Sequence, residues 1–395
     1  MNITFFFREN YDKFLTQPGG GEKSALLLIS NLIKKKKKAR LVCFGNKNIS
    51  TKLKFNDVEI PVVQYKVNKL SFFTITPFLF QYYNIVKKEA KNSDILHFYN
   101  VYLDPVAGLF KLLNNDKKII STLNSYYYIS PNFECRLFNK PKYKYNFIEK
   151  HIAFFDLIKE NYSFFKAMLL VPLIPVLVIF SYINISLSKK IKNYACLSMV
   201  VKEIYELNGF SNITVIPNML DSNISNKKRR KEKVVLYVGR IKRSKGVENL
   251  IKAFIKSDLI KQNYILKIVG DGNNLNLLKE NYIHPNIIFV GNIPYKDIKE
   301  EYSRAELFVH PGLWPEPFGR TIFEAIQNNC KIIVSDIGAP KDIIKNKNLV
   351  FNHANLISLV NKLNNINKIK VLNKNILNEY TSKNITNKFI EVYNE

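Results

Sequence analysis

The chain reads as an α/β protein of two similar units, each with a parallel sheet covered by helices on both faces. Three observations lead there. Its 395 residues exceed what one ordinary core holds and suit two domains. Nearly half are apolar (47%) and no long tract is of low complexity, which marks a folded chain. Short apolar runs alternate with helix-period stretches twice along the chain, on either side of a polar, basic interruption; strands joined by crossover helices have this pattern.

In the first half, residues 3–7 form an apolar run suited to a buried strand. A loop ends in Pro18-Gly19-Gly20-Gly21, and a helical pattern follows over 22–33. Strands are expected at 41–44, 60–63, 95–99 and 118–123, with helices near 77–90 and 105–113. The middle differs: residues 167–188 carry no charge and include LLVPLIPVLVIF. A strand at 194–197, a helix at 200–207 and a short run at 214–217 close this half. The polar stretch 221–233 reads as a linker. Strands then recur at 234–238, 265–269, 287–290, 307–310 and 332–335, with helices at 247–255, 275–280, 296–303, 321–327 and 355–363. The expected organisation is an N-terminal domain over 1–220 with an apolar, membrane-associating segment at about 163–188, the linker 221–233, a second domain over 234–370, and a helical tail 371–395 that crosses back to the first domain.

Sixty basic residues face thirty-two acidic ones, a formal charge of +28. That excess favours anionic partners, whether nucleic acid, acidic lipid or phosphorylated substrates. Lysine is frequent throughout, so a compositional origin is the competing reading; the densest runs, 34–38 and 227–233, then are solvated segments. Cys43, Cys135, Cys196 and Cys330 are far apart, without a CxxC pair, as for reduced thiols in a reducing compartment. The N-terminus, MNITFFFREN, has no basic region ahead of a long apolar run and reads as a strand, not a signal peptide.

The strongest chemical signal is Glu316-Pro-Phe-Gly-Arg-Thr-Ile-Phe-Glu324. Two carboxylates flank a glycine at the start of an apolar helix. Gly319 lets a backbone approach a ligand, and the helix starting near Thr321 points amides and its positive end at a phosphate. Arg240 and Lys245 follow a strand that ends in Gly239, where ligands of open α/β sheets bind; an arginine fork and a lysine point charge there suit a diphosphate. Gly270-Asp271-Gly272 is a second strand running into a glycine turn.

With these motifs in hand, VLYVGRIKRSKGVENLIKAF, IVGDGNNLNLL and VGNIPYKDIKEEYSRAELFVHPGLWPEPFGRTIFEAIQNNCKIIVSDIGAPKDII resemble the donor half of glycosyltransferase family 4, almost without a break over 234–344. The resemblance implies the GT-B fold, two Rossmann-like domains with parallel sheets facing a cleft, and a retaining transfer from a nucleoside-diphosphate sugar with no metal or other cofactor required. It assigns Arg240 and Lys245 to the diphosphate and leaving group, Glu324 to the ribose, and Glu316 to the donor sugar. The Phe318 and Gly319 backbone falls near the phosphates, and Gly239, Gly270, Asp271, Gly272, Arg320 and Thr321 complete the donor side.

The N-terminal half resembles the family more weakly. Gly20 and Gly21 match the glycine loop that approaches the diphosphate from the acceptor side; Glu22, between Gly21 and Lys23, excludes a Walker A loop. Asp94-Ile-Leu-His97 is similar to a D-x-x-H strand and makes His97 a catalytic candidate. Where many members carry T-L-H, this chain has Thr122-Leu123-Asn124, so Asn124 offers an amide to a sugar hydroxyl on the acceptor side. His284 and His310 show no partnered spacing.

The uncharged run 167–188 is long enough to span a bilayer, but one span would part the two halves. Lys150, Lys159 and Lys166 precede it and Lys189, Lys190 and Lys192 follow, as for two cytoplasmic ends. Pro172 and Pro175 suit a re-entrant or interfacial hairpin. The expectation is peripheral or monotopic attachment to the cytoplasmic face of an anionic membrane, with a saccharide or lipid-linked saccharide as acceptor and no nucleic acid partner. A bundle helix buried against the first domain is the alternative. Tyr126 to Tyr128, Phe154-Phe155 and Phe164-Phe165 are candidates for a lipid-facing groove. Two other functions stay open: another GT-B enzyme such as a nucleotide-sugar epimerase, and a basic membrane- or nucleic-acid-binding protein on a degenerate fold.

Overall fold

The computed structural model describes residues 1–16, 19–67, 75–114, 116–138, 140–220 and 230–395. The chain divides into two units: Met1–Asp221 with Tyr380–Glu395, and Ser222–Glu379.

The first unit runs β1 (Asn2–Phe6), α1 (Tyr11–Thr16), α2 (Gly20–Lys34), β2 (Lys38–Gly45), β3 (Ile49–Phe55), β4 (Val58–Lys66), α3 (Leu79–Ala90), β5 (Ile95–Phe98), α4 (Asp104–Leu113), β6 (Lys118–Leu123), a two-residue hairpin of β7 (Arg136–Leu137) and β8 (Lys140–Pro141), α5 (Phe147–Asn161), α6 (Phe164–Leu170), α7 (Ile174–Ser188), β9 (Asn193–Cys196), α8 (Met199–Leu207) and β10 (Ile213–Val215). Its main sheet has the order β10-β9-β6-β5-β1-β2-β4-β3 and is parallel except for the β3–β4 edge pair. The central strands are apolar at successive positions because helices cover both faces; Phe5 and Phe6, on opposite faces of β1, are both fully buried. The β3–β4 hairpin was not legible as a strand pair: β3 carries Lys52 and Lys54, and only Leu53 of it is buried. The amphipathic α5, capped by a box of Asn146 and Glu149, also fell outside the expected elements.

The apolar segment does not form a hairpin. Helix α6 passes through one 3-10 turn (Val171–Leu173) into α7, so Phe164–Ser188 is a single helical run. Pro172 and Pro175 sit in first-turn positions of the 3-10 turn and of α7, where a missing amide costs no helical bond. Nor is it a buried bundle helix: 22% of its most apolar window is buried.

The second unit runs β11 (Glu232–Val238), α9 (Val247–Lys256), β12 (Ile265–Val269), α10 (Leu275–Asn281), β13 (Ile287–Gly291), α11 (Tyr295–Arg304), β14 (Ala305–His310), α12 (Arg320–Gln327), β15 (Lys331–Ser335), α13 (Ala339–Ile344), β16 (Val350–Phe351) and α14 (Leu356–Asn364). Its sheet is wholly parallel, ordered β13-β12-β11-β14-β15-β16. Strand order reverses between β11 and β14, so the loops leaving these two strands flank the position where doubly wound sheets take ligands.

The expected linker falls largely on 221–229, outside the described residues. Of the expected tail, residues 371–379 group with the second unit, and α15 (Ser382–Asn394) with the first. The return is packed rather than draped: Ile385, Phe389, Val392 and Tyr393 repeat at helical spacing and join the core formed by α2 and the sheet.

Candidate functional site

In the second unit, three loops converge at the carboxyl ends of the strands. After β11 come Gly239 and Arg240, then a 3-10 turn over Arg243–Lys245 and Gly246 ahead of α9. The next loop, 270–272, lies against the first: Gly239 donates to the Val269 carbonyl (3.0 Å) and Ile241 to the Asp271 carbonyl (2.8 Å). A β-carbon on Gly270 would stand 2.0 Å from the Gly239 carbonyl oxygen, so only glycine lets these backbones meet. The third loop, 311–319, follows β14. Leu313 donates its amide to the Ser244 carbonyl (2.8 Å), and a β-carbon on Gly246 would lie 1.9 Å from the Pro311 carbonyl oxygen at a φ of 68°. These contacts set Lys245 against Glu316.

The Lys245 ammonium pairs closely with Oε2 of Glu316. The Trp314 indole N–H donates to the same oxygen at 3.0 Å, and Nε2 of His310 stands 3.9 Å from it. The Lys245 ammonium also lies 4.6 Å from the centre of the Trp314 ring, a cation–π contact. Among the described residues nothing bonds Oε1, which leaves one oxygen of Glu316 open to a hydroxyl. Burial pushes the Glu316 carboxyl up, but Lys245, His310 and the indole outweigh it and hold the group below its usual range, ionised. Burial lowers His310 to about 4, so its ring is neutral at pH 7. The backbone of Glu316 is fixed as well, its carbonyl accepting from Ala339 at the start of α13 (2.9 Å).

Gly319 precedes α12 at a φ of 80°, and Arg320 and Thr321 form the N-terminal turn of that helix, the end whose amides point outward along the axis. The Phe318 ring is buried and stacked on Phe323. Glu324 lies one turn in, accepting from the Tyr295 hydroxyl at 3.3 Å. Arg240 is exposed, and its carbonyl accepts from the buried Tyr237 hydroxyl (2.8 Å), which anchors the loop. Asp271 is exposed and turns back on the Gly272 amide (2.7 Å). The loops thus bring Gly239, Arg240, Lys245, Gly270, Asp271 and Gly272 together, with Lys245 against Glu316.

In the first unit, Gly20 and Gly21 are the first turn of α2 rather than a loop ahead of it, with Gly19 as the cap. A β-carbon at Gly21 would come 3.6 Å from Nδ2 of Asn124, which donates to the Tyr99 carbonyl (3.0 Å). So Gly21 and Asn124 adjoin at the carboxyl ends of β1, β5 and β6.

The catalytic assignment of His97 does not hold. Its ring is fully buried, with Nδ1 bonded to the Tyr393 hydroxyl (2.6 Å) and Nε2 to the Thr122 hydroxyl (2.7 Å). Burial lowers it to about 3. It ties α15 to the sheet. Tyr126, Tyr128 and Phe154 are core residues too, not a groove lining.

Sequence reasoning missed Trp314, His310, Tyr295 and Tyr237. Trp314 is the only tryptophan in the chain and stands two residues before Glu316, a signal available in the text. His310, read as unpartnered, meets Glu316 because the loop turns back on itself. Arg8, at the end of β1, lies 3.9 Å from the centre of the Tyr102 ring and was also unforeseen.

Comparison with known proteins places these features in a wider group. The family model for glycosyl transferases group 1 matches residues 221–387. An uncharacterized glycosyltransferase of Methanocaldococcus jannaschii is 32% identical over 120 residues, 29% of this chain and 30% of that protein. A GDP-mannose-dependent alpha-mannosyltransferase of Corynebacterium glutamicum is 36% identical over 113 residues, 29% of this chain and 25% of that one. The match therefore spans about a third or less of these relatives. Solved structures align over the whole chain: sucrose-phosphate synthase of Thermosynechococcus elongatus (TM-score 0.71, 15% identity, 100% of this chain and 98% of that one) and Anabaena HepE in complex with UDP (TM-score 0.68, 15% identity, 99% of each). The chain has the GT-B fold, and its residues 221–387 match the model for glycosyl transferases group 1.

Proposed function

We propose that the chain is a retaining, metal-independent hexosyltransferase that moves a sugar from a nucleoside-diphosphate donor to a saccharide acceptor carried on lipid. One observation carries the reading: a lysine and an indole N–H hold one oxygen of Glu316 beside the loops of β11 and β12 and leave its other oxygen open.

Departure of a nucleoside diphosphate builds negative charge on phosphate oxygen. Arg240, Lys245 and the first amides of α12 are the cationic and dipolar groups for that charge, in the role a divalent cation fills elsewhere. Glu324 on α12 accepts from ribose hydroxyls, and the open oxygen of Glu316 accepts from a hydroxyl of the donor sugar. Retention of anomeric configuration and independence from metal rest on the resemblance of 234–344 to family 4. The relatives name different bases: GDP-mannose for two mannosyltransferases and UDP for bound structures.

The test is a thermal-shift screen of uridine-, guanosine- and adenosine-diphosphate sugars, followed by turnover of the best donor with and without EDTA. One class of donor should raise the melting temperature, and turnover should survive EDTA with the product anomer unchanged. No stabilisation by any donor, or turnover abolished by EDTA and restored by a divalent ion, overturns the reading.

A further inference from the structure

Helix α7 is built inside out. The stripe it buries, at spacings of three and four, is Ile174, Val178, Ser181, Asn184 and Ser188; three of the five are polar. Two of the polar members are hydrogen-bonded there. Ser181 accepts from the Lys150 ammonium of α5 (2.6 Å), and Asn184 accepts from the Thr76 hydroxyl (3.0 Å). Beside them α7 touches α4 backbone to backbone: a β-carbon at Gly108 would lie 1.8 Å from the Leu187 carbonyl oxygen. The outward face is the apolar one, with Val176, Ile179, Tyr182 and Ile183 exposed. It continues along the same run through Leu169, Met168 and Phe165, the last 79% exposed, and across to Phe147 and Phe155 of α5. A continuous apolar surface on this scale is costly in water and marks a docking face.

The charge around the face selects its occupant. From Asn161 to Lys192 there is no acidic residue, and Lys166, Lys189, Lys190 and Lys192 are all exposed; on α5, Glu149 is paired with Lys142 and Glu160 with Arg136, and Asp156 is half-buried. Positive charge also stands behind it, in the buried Lys150, whose ammonium lies 4.1 Å from the centre of the Tyr182 ring. Another copy of this chain would bring the same lysines against these, like charge on like. A lipid leaflet supplies both complements, hydrocarbon for the face and phosphate for the rim.

We infer that the outward face of α5, α6 and α7 lies in the interfacial layer of an anionic leaflet, with α7 along the membrane rather than across it. A spanning helix would have to leave α4 and expose Ser181, Asn184 and Ser188 to hydrocarbon, with the bonds of Ser181 and Asn184 broken. Lipid binding of this kind needs neither donor nor acceptor, so it stands or falls apart from the transfer reaction. If that reaction is as proposed, the face holds the first unit where a lipid-borne saccharide emerges.

Flotation of the full chain with vesicles tests the inference. Vesicles of phosphatidylcholine mixed with phosphatidylglycerol should carry the protein upward, and phosphatidylcholine alone at least ~10-fold less. The pair Phe165→Asp and Ile179→Asp, both at exposed positions, should cut binding to the anionic vesicles at least ~10-fold. Its melting temperature, and the stabilisation by nucleotide, should stay as in the wild type. A wild-type chain that stays with the dense fraction overturns the inference, as does a double variant that floats equally well. A dimer in light scattering that the double variant converts to monomer, without vesicle binding, assigns the face to a second copy instead.

Discussion

Lys245 and Glu316 are ion-paired through the one carboxylate oxygen that also accepts from the Trp314 indole. The cation expected to hold a diphosphate is thus held by the carboxylate expected to hold the sugar. On the proposed function a diphosphate has to draw Lys245 toward itself, and that movement would loosen its contact on the ring of Trp314.

Since Trp314 is the sole tryptophan, its emission reports this exchange without a label. Titration with the nucleoside diphosphate that stabilises the protein should shift or quench the emission saturably, and Lys245→Ala should abolish the response. Emission unmoved at a nucleotide concentration that saturates the thermal shift would show that Lys245 does not leave Glu316 on binding.

Glu316→Gln separates binding from transfer. The amide oxygen still accepts from Trp314, but the ion pair is gone and Lys245 no longer has to be drawn from it. Free nucleoside diphosphate should bind as tightly as to the wild type or more so, while turnover falls by ~100-fold or more because the sugar loses a charged acceptor. Lys245→Ala should lose both, with turnover down ~100- to 1,000-fold. Calorimetric titration beside initial rates decides it; equal loss of nucleotide affinity in both variants would refute the division of roles.

The second unit was legible in sequence because its motifs are local. Gly239-Arg240 and Lys245-Gly246 lie in one loop, and the Glu316 to Glu324 stretch in a second loop and the first turn of α12; glycines at the contacts force those loops together. What stayed hidden depends on how a loop turns. Five residues separate His310 from Glu316, yet the ring and the carboxylate meet only because residues 311–315 fold back. His97 misled for the opposite reason: its D-x-x-H pattern matches, but its partner, Tyr393, lies 296 residues away on a helix whose docking no local pattern announces. The apolar run was legible in composition, while the polar stripe that docks α7 shows only once Ser181, Asn184 and Ser188 are seen facing inward.

Gly246→Ala should be among the most damaging small changes. The added carbon meets the Pro311 carbonyl oxygen, and the backbone there has a φ of 68°. Relief of that clash moves the Lys245 turn from the Glu316 loop, so nucleotide affinity should fall together with melting temperature, by ~1–3 kcal/mol of strain. Alanine at Gly291 is a control, since its φ of 80° is also positive but no atom lies within 4 Å of a β-carbon there. It should cost stability and leave nucleotide binding intact. A Gly246→Ala protein with wild-type nucleotide affinity would detach the turn from the site.

Acid should destabilise the fold earlier than carboxylate protonation alone predicts. His97 and His310 are neutral inside, lowered to about 3 and about 4 by burial, whereas an unfolded histidine titrates near ~6.5. Between those values the unfolded chain binds more protons than the folded one, so unfolding free energy rises with pH across the window and is lost as pH falls. Each unit of depression is worth ~1.4 kcal/mol, so the two rings together amount to several kcal/mol by pH 4. Glu316 acts in the same direction at lower pH, its folded value being depressed, and its contribution goes as pH drops through the carboxylate range. Urea unfolding at pH 8, 6 and 5 should give falling midpoints. His97→Phe should flatten part of that slope while lowering stability at pH 8 by ~1–3 kcal/mol, because the Thr122 and Tyr393 hydroxyls lose their partner in the core. A midpoint constant from pH 8 to 5 would mean that the rings are not held neutral, and the burial that ties α15 to β5 would have to be abandoned with it.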